Sequence, residues 1–116
     1  MGQDREFFNL YRHNFIRVGA AIPELRVADP AFNARKTTDL MEQAAERRAM
    51  LVVFPELGLS AYSCDDLFHQ QALLDGCGEA LRQVRDASRR LPVITVVGAP
   101  LKVDDVLFNC AVVMFG

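Results

Sequence analysis

Short β-branched runs alternate with amphipathic stretches of helical period along this chain, and that alternation restricts the fold more than any other property of the sequence. Residues 15–22 read as a first strand that stops at Pro23, which has no N–H to give to a ladder. Asp29-Pro30 supplies a helix cap and a proline at the first helical position, and Thr37, Leu40, Met41, Ala44 and Ala45 recur at helical spacing, which predicts a helix over 30–48. The second strand, 50–54, is continuously apolar, as a strand covered on both faces should be. From Gln70 onward Leu73, Leu74, Cys77, Ala80, Leu81, Val84, Ala87 and Leu91 mark one face of a second helix, with Glu79, Arg82, Arg85 and Arg89 opposite. A third strand over 93–97 is expected to end at Gly98-Ala99-Pro100. Asp104-Asp105 then makes a turn, and a fourth strand fills 107–115. The order β-α-β-α-β-β implies an α/β sheet with right-handed first crossovers and a terminal hairpin.

The 116 residues form at most one domain, and with 51% hydrophobic residues they have material for a core. A net charge of -2 with both signs scattered leaves no basic stripe to neutralise phosphates, so nucleic acid is not expected as a partner. The opening Met1-Gly2-Gln3-Asp4-Arg5-Glu6 is charged and no signal-type apolar segment follows it. No apolar run reaches membrane-spanning length, so no membrane partner is expected. Cys64, Cys77 and Cys110 are odd in number and lack C-x-x-C spacing, which argues against a disulfide framework and a zinc site and for reduced thiols in the cytoplasm. The last residues, Cys110 to Gly116, read as a strand that stops without a polar tail or closing helix, so the sequence reads as cut short.

Within this framework Leu51-Val52-Val53-Phe54-Pro55-Glu56 brings a carboxylate to the end of an inner strand, where a general base can be held rigidly in a water-poor cavity. Glu56 is therefore the leading catalytic candidate; the plain alternative is a loop cap or a surface ion pair. Tyr62 is the candidate substrate contact, since a ring with a hydroxyl can wall a pocket and fix an amide, and the alternative is a loop tyrosine packed on the core. Cys64, eight positions after Glu56, would need a nearby base or positive field to become a nucleophile, and packing is the simpler reading. Cys77 and Cys110 read as small core residues and Lys102 as a solvated hairpin residue. Asp65 and Asp66 are expected to cap a short helical turn at Leu67-Phe68-His69. His13 and His69 have no ligand spacing, and no metal site is expected.

The stretch Val52-Val53-Phe54-Pro55-Glu56, followed by Leu57-Gly58-Leu59-Ser60-Ala61-Tyr62, resembles the catalytic-glutamate motif of the carbon-nitrogen hydrolase (nitrilase) superfamily. Val97-Gly98-Ala99-Pro100 and Phe108-Asn109-Cys110-Ala111 resemble the paired strands that come later in the same domain. Two further segments, 7–18 and Tyr62-Ser63-Cys64-Asp65-Asp66-Leu67-Phe68, are similar to the glutaminase domains of glutamine-dependent NAD synthetases. The resemblance implies that residues 1–116 are the N-terminal portion of an α-β-β-α sandwich and that a synthetase domain lies outside this sequence. It also implies hydrolysis of glutamine by a Glu-Lys-Cys triad, in which only the glutamate, Glu56, maps onto this sequence. Ammonia would pass to the synthetase domain, which uses ATP and magnesium to convert deamido-NAD, while the glutaminase part needs no cofactor. A homo-oligomer is implied as well. On that reading these residues alone hydrolyse nothing. The rival expectations are a stand-alone amidase of the same superfamily and a non-catalytic interaction module.

Overall fold

The computed structural model describes residues 7–116, so the charged opening Met1 to Glu6 lies outside the described residues. After a 3-10 turn at Leu10–His13 come β1 (Val18–Ala20), α1 (Pro30–Glu46), β2 (Leu51–Val53), a 3-10 turn at Asp65–His69, α2 (Gln71–Ser88), β3 (Ile94–Val103) and β4 (Val106–Met114). The order is the expected β-α-β-α-β-β. The four strands lie side by side as β1-β2-β3-β4, the first two pairs parallel and the last antiparallel.

Helix α1 begins as its sequence directs, with Asp29 Oδ1 accepting the Phe32 N–H at 3.2 Å and Pro30 at the first helical position. It ends two residues before the expected boundary because Arg48 turns left-handed, at φ 61. The Arg48 N–H donates to the Ala45 carbonyl and the Ala49 N–H to the Ala44 carbonyl, each at 3.0 Å, a Schellman closure made without glycine. Both helices pack on one face of the sheet. Ala34 and Met41 from α1 and Ala80, Val84 and Ala87 from α2 meet Val52, Val97 and Ala99 in one buried cluster.

Three expectations need correction. Strand β2 is not covered on both faces: Val52 is buried, but Val53 is 41% exposed, because no described residue packs on the side away from the helices. Strand β3 does not end at Gly98-Ala99-Pro100 but runs on to Val103, with Pro100 paired to Asn109. Pro100 is tolerated there because β2 stops at Val53, opposite Val96, so β3 past that point has only β4 as a strand neighbour and no second ladder asks for its N–H. The two strands turn through Asp104 and Asp105, both left-handed at φ 50 and 62, the backbone of a two-residue hairpin matched to strand twist. Third, Asp65 and Asp66 do not cap the Asp65–His69 turn; they lie inside its first turn, Cys64 occupies the cap position, and no side chain there bonds to a free N–H.

Candidate active site

Glu56 follows directly from the way β2 stops. The Phe54 N–H still donates to the Val96 carbonyl at 2.9 Å, and Pro55, with no N–H, then ends the ladder. The chain turns back on itself, the Gly58 N–H donating to the Pro55 carbonyl at 3.1 Å and the Leu59 N–H to the Gly98 carbonyl at 3.1 Å. Leu57 takes a left-handed conformation, φ 52, a strained state for a branched side chain that persists because the surrounding bonds over-determine it. Among those bonds, Asn33 on α1, fully buried, donates from Nδ2 to the Leu59 carbonyl at 3.0 Å, and the Ala28 N–H donates to the Ser60 carbonyl at 2.9 Å.

The close approach of this turn to β3 requires glycine at position 98. A Cβ there would lie 2.3 Å from the Leu57 nitrogen, 2.7 Å from the Pro55 oxygen and 2.9 Å from the Glu56 carbonyl carbon, distances that real Cβ atoms essentially never show. The obstructing atoms are backbone, so no side-chain rotation relieves the clash. Gly98 thus sets how closely the Glu56 peptide lies against the sheet. The signal in the sequence was a glycine within an apolar strand, a mark of close backbone approach, although it read there as a strand end.

The Glu56 side chain emerges on the sheet face away from the helices, beside a cavity of about 260 Å³ whose lining includes Val53, Val96, Gly98, Asn109 and Ala111. Asn109 Nδ2 donates to Glu56 Oε1 at 2.5 Å. The expected water-poor setting is not what the structure shows: Glu56 is exposed, because both helices occupy the opposite face and no described residue covers this one.

The other candidates fall elsewhere. Tyr62 is 68% exposed, lies outside the lining of this cavity and forms no hydrogen bond among the described residues. Cys64 is buried on the helix side with its thiol directed at the carbonyls of Ser60, at 3.0 Å, and Ala61, at 3.4 Å. Cys77 is fully buried beside it, and burial first, with the electrostatic influence of the neighbouring Cys64 second, pushes its thiol up to about 11. Cys110 is only half-buried, not the core residue expected. It lines the Glu56 cavity, but strand alternation places it with Val112 and Met114, which pack toward the core. Lys102 is exposed near the hairpin tip, 4.0 Å from Asp105. Among the described residues no group of three or more His, Cys, Asp or Glu is arranged to hold a metal ion, and no helix is long and apolar enough to cross a membrane.

A parallel β-α-β-α-β unit closed by an antiparallel hairpin, with a carboxylate at the end of the second strand, defines a nitrilase-like α/β chain. The chain belongs to the carbon-nitrogen hydrolase family, whose sequence profile matches residues 17–115. It is 40% identical over 108 residues to the glutamine-dependent NAD(+) synthetase of Mycobacterium tuberculosis, covering 93% of this chain and 16% of that protein, in its N-terminal part. The synthetase of Xylella fastidiosa is 35% identical over 101 residues, or 86% of this chain and 18% of that one. The crystal structure of a glutamine-dependent NAD(+) synthetase from Cytophaga hutchinsonii superimposes with a TM-score of 0.80 over 86% of this chain and 17% of that chain, at 22% identity, a likeness of fold. The chain therefore spans less than a fifth of the length of the synthetases it matches.

Proposed function

We propose that in the full-length protein this chain supplies the general base of a glutaminase that feeds ammonia to ATP-dependent NAD synthesis. The observation that carries this reading is Glu56, delivered by the end of β2 to an open cavity and held there by Asn109, in a chain 40% identical to a synthetase over 93% of its length. The base removes the proton of a cysteine thiol, the sulfur attacks the glutamine side-chain carbonyl carbon, and a lysine stabilises the resulting oxyanion. When the C–N bond breaks, Glu56 returns the proton to the departing ammonia. The base then takes a proton from water as it attacks the thioester, releasing glutamate and the free thiol.

On this reading neither partner is among the residues at hand: Lys102 lies near the hairpin tip, Lys36 on α1 lies beside Glu24, Cys64 and Cys77 are buried on the helix side, and Cys110, although it lines the cavity, alternates along β4 with Val112 and Met114. The lysine and the cysteine belong to parts of the protein outside this sequence, and the 116 residues alone are inactive. Tyr62 enters as a substrate contact, its ring exposed and its hydroxyl without a hydrogen bond among the described residues. The remainder of the reading comprises a synthetase domain that takes ATP and magnesium, a homo-oligomer and a cytoplasmic setting. It rests on the similarity to the synthetases.

A stand-alone amidase is the competing reading. An amidase from Nesterenkonia, at 25% identity over 74% of this chain with a TM-score of 0.60, shares the fold, but the 40% identity to synthetases over 93% favours the first reading. The deciding experiment is Glu56→Gln in the full-length protein. Glutamine-driven NAD synthesis is expected to fall to background while ammonia-driven synthesis stays at the level of the unsubstituted protein. Equal loss of both activities, or of neither, would reject the assignment.

A further inference from the structure

We propose that Asn109 is a positioning residue for Glu56: its amide fixes one carboxylate oxygen so that the other faces the reacting groups. The proposal rests on the assignment of Glu56 as the base. A glutamate at the tip of a turn has three side-chain torsions, and the turn's own bonds constrain only its backbone. Apart from Glu56 and Asn109 the cavity is lined by apolar residues such as Val53, Val96 and Ala111 and by the half-buried Cys110. Asn109 differs from these neighbours in kind. It sits in the interior of β4, a nine-residue strand in unbroken register with β3, and its Nδ2 meets Glu56 Oε1 at 2.5 Å.

The donor character of this contact makes it specific. An asparagine amide can turn either end toward a neighbour, but only the NH2 end is attractive to a carboxylate. With Oε1 occupied, Oε2 is the oxygen left to accept and return the proton. Aspartate has nearly the same shape as asparagine but lacks the donor, and would set a second negative charge against the first. A residue that merely filled this exposed strand position would tolerate aspartate. One that positions the base would not.

The test compares Asn109→Leu, Asn109→Asp and Asn109→Gln in the full-length protein, with glutamine-driven and ammonia-driven synthesis measured separately. The leucine variant should lose about tenfold or more in glutamine-dependent kcat, with KM for glutamine held within about twofold. The aspartate variant should be at least as impaired, and the glutamine variant, which keeps an amide donor on a longer arm, should recover part of the loss. Ammonia-driven synthesis should be unchanged in all three. The proposal is overturned if the aspartate variant keeps the unsubstituted kcat, if the leucine variant changes KM alone, or if ammonia-driven activity falls in parallel in the aspartate variant. Glu56→Gln in the same assays separates the two claims: activity surviving in it removes the base itself, whereas its loss beside fully active Asn109 variants removes only the positioning role.

Discussion

The two faces of this sheet have opposite characters. On the helix side Val52, Val97 and Ala99 are almost completely buried against Met41, Ala80 and Val84. On the other side Val53 and Val113 are 41% and 61% exposed, and Glu56 and Asn109 stand open beside them. The covered face is packed by residues of this chain, and the open face carries the Glu56–Asn109 pair. Gly98 links the two, since it stands in the strand behind the core while its missing side chain admits the turn that presents Glu56.

Gly98→Ala is the strongest way to break that division. The added methyl meets three backbone atoms of the Pro55–Leu57 turn, so either β3 shifts or the turn lifts away, at an expected cost of about 3 kcal/mol or more. In the full-length protein this should show as lost glutamine-driven activity with a lowered unfolding midpoint. A variant with unchanged midpoint and activity would mean that the turn does not pack so closely. Next in size is a matched pair of truncations, one on each face. Met41→Ala empties a fully buried position and should cost about 3 kcal/mol, read from urea unfolding. Val113→Ala on the open face should cost less than about 0.5 kcal/mol in the 116-residue chain. A comparable cost for both would show that the open face is covered in solution, by a second copy or by itself.

The covered face was the legible part of the sequence. Helical spacing marks α1 and α2, Asp29-Pro30 caps α1 as its sequence directs, and the β-branched runs mark four strands in the observed order. The boundaries that failed did so where tertiary context overrode a local rule. Pro100 looks like a stop, yet it lies in a strand because beyond Val96 the only strand beside β3 is β4. The continuous apolar run at β2 suggested two covered faces, but a run of valines cannot say which neighbours will be present. The placement of Glu56 just past the end of β2 is legible in the sequence. The contact with Asn109 is not, because 53 residues separate the two and only the β3–β4 register brings the amide to the carboxylate.

The thiols sharpen the same comparison at the smallest scale. Cys77, wholly inside the helix layer, ionises near 9.0 when unfolded but is pushed up to about 11 in the folded chain, by burial first and by the electrostatic influence of Cys64 second. Below about 9 both states keep the proton, and the residue adds no pH dependence. Between about 9 and 11 the unfolded chain releases the proton while the folded chain holds it, so stability falls as pH rises through that window. Other groups also titrate there, which makes the useful quantity a difference. Unfolding free energies of the unsubstituted chain and Cys77→Ala, compared at pH 8 and pH 10, should converge by about 1 kcal/mol as the alkaline penalty removed by the substitution comes into play. A constant difference between the two pH values would show that the Cys77 thiol reaches water freely, and would contradict the tight packing of the helix side on which the contrast between the faces depends.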